Sequence, residues 1–176
     1  DNTFPQCNIS KETILKKAFS WRIRRELKKF SLTRKITTEA YDPANDLKAR
    51  NLLNDFAVYS QDKGNDYSEE IVRGHLFFFD ESIKNKLRLQ HIENGELIGF
   101  SFLTPVGSVI FYNALICKNE SNLMKYLISE APQYAIGKYP NAKICSLQGS
   151  EIVGQDYLKR RLKPIEMIEK THIVSM

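Results

Sequence analysis

Residues 86–103 constrain the fold more than any other stretch of the sequence. They read KLRLQHIENGELIGFSFL, in which apolar and polar residues alternate on both sides of Asn94-Gly95. Such alternation is typical of a strand with one buried face, and Asn-Gly is the pair that best suits the two-residue turn of a hairpin. The chain therefore contains an antiparallel hairpin, and the other elements must extend or cover that sheet.

The spacing of apolar residues predicts the remaining elements. The run SVIFYNALI is nearly continuous in apolar residues, so we expect it to form a central strand. The predicted strands outside the hairpin cover residues 35–41, 108–116, 142–147 and 164–176. The predicted helices cover residues 11–30, 46–61, 67–79 and 123–137, the last with Pro132 inside it.

The order of these elements predicts one domain over residues 1–176, with residues 1–10 as a flexible lead-in. Its fold class is α/β (α+β): a mixed, mostly antiparallel central sheet flanked by helices. One crossover passes through the helix at 123–137, because a helical connection allows two strands to run parallel.

Composition narrows the class of protein. The chain has 176 residues, of which 42% are hydrophobic, enough for a substantial core. No apolar run is long enough for a membrane span or a secretory leader. Its three cysteines cannot all pair, which indicates a reducing compartment, and its three scattered histidines predict no metal site. We expect a cytoplasmic protein, or one at the cytoplasmic face of a membrane if a preceding membrane region exists, since a chain that starts at Asp1 suggests the C-terminal part of a longer protein.

Residues 11–35 hold most of the excess positive charge. The apolar stripe of the predicted helix faces a basic surface on which cations greatly outnumber acids, so intrahelical ion pairs cannot neutralise it. Trp21 lies within this run. A tRNA acceptor stem, an anionic membrane surface and plain solubility all explain such a surface. The candidate phosphate contacts are Arg22, Arg24, Arg25, Lys28 and Lys29.

Residues 147–164, LQGSEIVGQDYLKRRLKP, form the most informative motif. An apolar run ends there in a turn, and a short basic segment follows. Ser150 and Glu151 can cap a helix, because a side-chain oxygen accepts the unpaired N–H groups of a helix start. A capped turn that leads into cations can hold an anionic substrate, and it can equally end a domain.

Within this motif, GQDYLKRRLKP resembles the last helix of the tRNA-dependent aminoacyl transferases of the GNAT superfamily. The motif of that helix is a glycine, any three residues, Phe-Lys, any two residues, and then Phe-Gly-Pro. Gly154, Lys159 and Pro164 match identically without a gap, whereas Lys163 replaces the glycine. The group includes the C-terminal domain of phosphatidylglycerol lysyltransferase and the Fem-type peptidyltransferases. QGSE, the basic WRIRRELKKF helix and the IENGELIGFSFL hairpin also resemble this group.

The resemblance implies a GNAT-like fold and transfer of an aminoacyl unit from tRNA. It places Lys159 near the ester, where a fixed cation stabilises the charge that develops on the carbonyl oxygen. The alternative is a solvated lysine in a helical turn. Glu151 is a candidate general base, although its position before a helix favours the role of a helix cap. Substrate contacts are expected from Gly149, Ser150, Arg160 and Arg161.

Two further candidates lie on the predicted central strand, beside the place where GNAT proteins splay two strands to admit an acyl carrier. Tyr112 could donate a proton to a leaving group, and core packing is its alternative. Asn113 is a candidate substrate contact.

No cofactor is expected besides aminoacyl-tRNA as co-substrate. Acetyl-CoA is a less favoured donor, because the loop CKNESN contains none of the glycines that usually cradle a pyrophosphate. A CoA-dependent N-acyltransferase with an atypical loop is one alternative. A non-catalytic module that binds anionic lipid or RNA is another.

Overall fold

The computed structural model describes residues 6–62, 72, 75–82, 84–148 and 158–168. A helical turn at 158–161 and a 3-10 turn at Pro43–Asn45 accompany the main elements. In chain order these are β1 (Gln6–Ser10), α1 (Lys11–Leu15), α2 (Trp21–Thr33), β2 (Ile36–Ala40), α3 (Asp46–Asp62), β3 (Leu87–Glu93), β4 (Glu96–Val106), β5 (Val109–Cys117), α4 (Leu123–Lys138), β6 (Ile144–Gln148) and β7 (Glu166–Ile168).

The described strands form one sheet in the order β2-β3-β4-β5-β6-β1-β7. Every neighbouring pair is antiparallel except β5 and β6, which run parallel and are joined through α4. The predicted fold class, the central position of β5 and the helical crossover through α4 are therefore confirmed. The crossover is not the only one, because β1 lies between β6 and β7 and connects to β2 at the far edge through α1 and α2.

The hairpin forms as predicted. Asn94 and Gly95 link β3 to β4 with φ values of 52° and 79°. Two successive positive φ values match the turn type whose twist suits paired strands, and Asn and Gly are the residues that tolerate them. The local sequence thus fixes the register of the strands at the turn.

The predicted flexible lead-in is wrong for residues 6–10, which form β1 between β6 and β7. Cys7 and Ile9 are 0% and 2% exposed, while their neighbours along the strand are only half-buried. Because side chains alternate between the two faces of a strand, Cys7 and Ile9 both point into the same hydrophobic cluster. β1 is therefore an integral strand of the sheet.

The predicted helix over residues 11–30 is two helices. Ser10 caps α1 by accepting a hydrogen bond from the Thr13 N–H, and the chain leaves the helix through Lys17 at a φ of 47°. This break lets Phe19, which is 1% exposed, enter the core before α2 begins. The predicted helix at 67–79 lies largely outside the described residues, as does the final predicted strand beyond residue 168.

Helices cover both faces of the sheet. α1, α2 and α4 pack on one face, where Leu27, Ala135 and Leu147 belong to one hydrophobic cluster. α3 packs on the other face, where Leu53 and Phe100 belong to a second cluster. No described helix combines the length and apolar character needed to cross a membrane.

Gly99 shows how closely α4 lies on the sheet. A Cβ atom at this β4 position would lie 3.0 Å from Leu127 Cδ1 of α4 and 3.1 Å from Cys117 Cβ and the Ile116 carbonyl oxygen. A Cβ atom at Gly137, in α4, would have no neighbouring atom within 4 Å.

We therefore expect opposite effects from two alanine substitutions. Gly99→Ala should lower the free energy of unfolding by about 1–3 kcal/mol, because neighbouring backbone has to move. Gly137→Ala should raise it by about 0.5–1 kcal/mol, because alanine favours the helix more than glycine does. Urea denaturation measures both, and equal effects of the two substitutions would contradict the close packing.

Candidate active site

β5 and β6 pair over only part of their length. The parallel register runs from Val109 opposite Ile144 to Tyr112 opposite Leu147 and then stops. Within the described residues, β5 continues to Cys117 with no strand hydrogen-bonded on that flank. Among the described residues, residues 113–117 therefore have no strand paired on that flank, and we call this part of the sheet the opening.

A bulge marks the start of this opening. The register between β4 and β5 shifts so that Leu103 lies opposite Tyr112 while Phe102 lies opposite Ala114. Asn113 is the extra residue, and its side chain is exposed. Thr104 Oγ1 donates a 2.8 Å hydrogen bond to Asn113 Oδ1, which holds the amide in one orientation. Bulges commonly redirect a side chain beside a functional site.

Tyr112 points into the core rather than into open space. Its side chain is 6% exposed and belongs to the cluster beneath α2 and α4. The hydroxyl has no hydrogen-bond partner among the described residues. Burial raises the pKa of Tyr112. The structure therefore favours packing over proton donation for this residue.

Tyr112→Phe distinguishes these roles. Removing a buried hydroxyl that lacks a partner should leave the free energy of unfolding unchanged or raise it by up to about 1 kcal/mol. Under the packing interpretation, the transfer rate also stays the same. A rate loss of about tenfold or more, in the range that removal of an acid catalyst produces, with unchanged urea denaturation would instead assign Tyr112 to catalysis.

Lys159 is buried, with 8% of its surface exposed. The alternative of a solvated lysine is therefore wrong. Leu162, 1% exposed, anchors the same turn in the core, and its N–H donates to the Lys159 carbonyl oxygen at 3.0 Å. Lysine is almost never this buried in proteins unless its charge is balanced.

The sheet register and one backbone contact relate Lys159 to the end of the pairing between β5 and β6. Tyr112 lies opposite Leu147, and Leu147 lies opposite Cys7 on β1. The Cys7 thiol lies 3.7 Å from the Lys159 carbonyl oxygen. Cys7 thus lies about 10 Å across the sheet from Tyr112 at the usual strand spacing, and the Lys159 backbone contacts Cys7.

The same turn contacts the start of α2. The Ser20 N–H, just before α2, donates a 3.0 Å hydrogen bond to the Arg161 carbonyl oxygen. Arg161 is half-buried and Arg160 is exposed. The structure therefore brings the beginning of the basic helix next to the turn that carries Lys159.

Most cations of α2 face solvent. Arg22 pairs with Glu26 at 3.1 Å, and Glu26 also accepts from Lys125 at 2.9 Å. No ion pair found among the described residues involves the other four candidate phosphate contacts, which are exposed: Arg24, Arg25, Lys28 and Lys29.

Three predicted site residues, Gly149, Ser150 and Glu151, lie outside the described residues, as does Gly154. Glu151 therefore keeps both of its interpretations, general base and helix cap. In the described ranges no three His, Cys, Asp or Glu side chains converge to hold a metal ion.

Cys117 and Cys145 are poor nucleophiles. Burial raises the pKa of Cys117 and of Cys145 to about 12, so both stay as thiols at neutral pH. All three cysteines are buried.

Sequence reasoning missed a row of three hydrogen-bonded side chains, Thr38, His91 and Ser101, on neighbouring strands of the sheet. His91 on β3 is 0% exposed, with Nδ1 3.0 Å from Thr38 Oγ1 and Nε2 3.1 Å from Ser101 Oγ. Burial lowers the pKa of His91 to about 3. The sequence does hold one indication of this buried histidine. In the alternating pattern of the hairpin, His91 takes a core-facing position on the same face as Leu89.

Comparison with known proteins identifies the fold. No family model and no curated protein sequence matches the chain. A conserved protein of unknown function from Bacteroides thetaiotaomicron superimposes with a TM-score of 0.81 at 11% identity, over 97% of this chain and 59% of that one. FemX superimposes with a TM-score of 0.67 at 10% identity, over 94% and 60% of the two chains.

The C-terminal domain of a proposed lysylphosphatidylglycerol synthetase from Agrobacterium fabrum gives a TM-score of 0.54 at 10% identity, over 95% and 58%. This chain therefore spans about three fifths of the length of each of these three proteins. Acetyltransferases are also among the similar structures. The chain has a GNAT-like fold that resembles FemX, lysylphosphatidylglycerol synthetase domains and GNAT acetyltransferases.

Proposed function

We propose that this chain is an acyltransferase that moves an aminoacyl unit from aminoacyl-tRNA to an amine or hydroxyl acceptor on a lipid or peptide. The observation that carries the proposal is the burial of Lys159, on a turn whose backbone contacts Cys7 of β1. The match of Gly154, Lys159 and Pro164 to the aminoacyl transferase motif supports the same donor. The GNAT-like fold supports acyl transfer more generally.

The proposed reaction needs no covalent enzyme intermediate. An acceptor amine attacks the ester carbonyl, a C–N bond forms, and the C–O bond to the terminal ribose breaks. The amine loses a proton, for which Glu151 is the candidate base, and the ribose oxygen gains one. Negative charge develops on the carbonyl oxygen, and the Lys159 ammonium group stabilises it in a site with little water.

The opening beside β5 would orient the donor. Backbone groups on the flank of residues 113–117 that has no paired strand among the described residues would hydrogen-bond an extended acyl unit, with Asn113 at the entrance. Arg160 and Arg161 lie on the Lys159 turn, where cations suit the phosphates of the tRNA 3′ end. Gly149 and Ser150 complete the proposed substrate contacts.

A CoA-dependent N-acyltransferase is the second candidate, and the acetyltransferases among the similar structures favour it. The loop between β5 and α4 weighs against it. That loop contains no glycine, and Asn122 adopts a φ of 64° where α4 begins. Side chains on the loop hinder the close backbone approach that a pyrophosphate needs. A non-catalytic module that binds anionic lipid or RNA is the third candidate.

Equilibrium binding separates these candidates. Aminoacyl-tRNA should bind saturably, and Lys159→Ala should weaken that binding, whereas Lys48→Ala on the opposite face of the sheet should not. Coenzyme A should give neither binding heat nor a rise in melting temperature. Tight coenzyme A binding, with tRNA binding that is absent or insensitive to Lys159→Ala, would contradict the proposal.

A further inference from the structure

The outward face of α2 combines exposed apolar and cationic side chains. Trp21 is 66% exposed at the start of the helix, and Leu32 is 77% exposed near its end. Together with Arg25 and Lys28 they repeat at positions i, i+4, i+7 and i+11, so they form one stripe along the helix. We call this stripe, with its flanking cations, the α2 face; it comprises Trp21, Arg24, Arg25, Lys28, Lys29 and Leu32.

The α2 face carries a charge that its surroundings do not neutralise. Glu26 is the single acid within α2, and it is held by Arg22 and Lys125 away from this face. The six residues line a shallow groove of about 460 Å³. Four cations without a carboxylate partner in the described part of the chain therefore point to an anionic ligand.

Two features of the α2 face favour a lipid surface over RNA. The Arg25 guanidinium lies 5.5 Å from the centroid of the Trp21 ring and covers one of its faces, which hinders stacking on a base. The Leu32 side chain cannot hydrogen-bond or pair with a phosphate. It is nevertheless the most exposed large apolar side chain among the described residues.

A helix that lies in a membrane interface needs this combination. Cations attract anionic headgroups, while tryptophan and leucine on the same face enter the boundary between headgroups and acyl chains. The 13 residues of α2 span about 20 Å, enough for four cations to contact several headgroups at once.

We propose that the α2 face binds an anionic phospholipid surface, with Trp21 and Leu32 inserted at its two ends. This surface site goes beyond the proposed transfer reaction and does not depend on it. It would hold the enzyme flat on the membrane, with the Lys159 turn next to the start of α2 and hence near the lipid headgroups.

Vesicle binding tests the proposal without any acyl donor. Trp21 is the single tryptophan of the chain, so its emission reports on this face alone. With vesicles of phosphatidylcholine containing 30% phosphatidylglycerol, we expect saturable binding and a blue shift of the emission. Pure phosphatidylcholine should bind at least about tenfold more weakly, since each basic residue near an anionic surface contributes several-fold.

Matched variants separate the two contributions. Lys28→Gln with Lys29→Gln should weaken binding at least about tenfold, and Leu32→Ser should weaken it several-fold although the charge is unchanged. Lys48→Gln and Leu47→Ser serve as controls on α3, where Lys48 is exposed and Leu47 is 72% exposed. All these positions are exposed, and far-UV circular dichroism checks that the variants fold.

Three results would overturn the proposal. The first is binding of duplex RNA that needs the α2 cations but not Leu32, together with no vesicle binding. The second is vesicle binding without a shift in Trp21 emission, which would assign another surface. The third is binding to neither probe. Because no donor is present, loss of transfer activity in a separate assay leaves this result unaffected.

Discussion

Lys159→Ala should lower the rate constant for aminoacyl transfer by about 10²–10³-fold, the range seen when one charge-stabilising group is removed from an acyl-transfer site. The reason is that Lys159 would act on the oxyanion of the transition state more than on the neutral ester. Single-turnover transfer of a radiolabelled aminoacyl group from tRNA to an amine acceptor measures the effect.

Two further variants guard against misinterpretation. Lys159 is 8% exposed, so alanine also leaves a cavity in the core. Lys159→Met keeps most of the volume and should lose the same activity with a smaller loss of stability. Lys48→Ala, on α3, removes an exposed charge and should leave the rate unchanged. A wild-type rate in Lys159→Met would show that the ammonium group has no part in the reaction.

The second large effect concerns pH. His91 is fully buried with its pKa lowered to about 3, against 6.5 for an unhindered histidine. The unfolded chain therefore binds a proton at His91 below pH 6.5 while the folded chain does not. Stability is fully present above pH 6.5 and is lost as the pH falls towards 3. Between pH 7.5 and pH 5 we expect a loss of about 2 kcal/mol in the free energy of unfolding from this group.

His91→Gln isolates that contribution. The variant keeps a polar side chain between Thr38 and Ser101 but cannot take up a proton. At pH 7.5 the variant should be less stable than the wild type, because glutamine replaces the hydrogen bonds of His91 imperfectly. Between pH 7.5 and pH 5, however, its free energy of unfolding should change less than that of the wild type. Urea denaturation at both pH values gives the comparison. Parallel pH profiles for the two proteins would contradict a neutral buried His91.

The predictable part of the fold is the part that local sequence determines. Asn94-Gly95 and its flanking alternation determine the hairpin, and helical spacing determines α3 and α4, whose observed bounds lie within one residue of those predicted. β1 was missed because a five-residue strand is stabilised by pairing with β6, far away in sequence. The break between α1 and α2 was missed because it depends on the burial of Phe19 rather than on helix propensity.

A short motif nominated Lys159, and the structure shows that this residue is buried. Its role in a site stays a prediction. The direction of the Tyr112 side chain could not be read from the sequence, because the bulge at Asn113 changes which residues of β5 face the core. His91 was missed because its partners, Thr38 and Ser101, come together only through strand pairing.

The central claim is that an aminoacyl ester binds in the opening between β5 and β6, beside Lys159. Titration of the ¹⁵N-labelled protein with a non-hydrolysable 3′-aminoacylamino-adenosine, followed by amide chemical shifts, tests it most directly. We expect saturable shifts at residues 113–117 and 158–161. Shifts confined to other surfaces, or shifts at residues 113–117 with coenzyme A and none with the adenosine analogue, would contradict the claim.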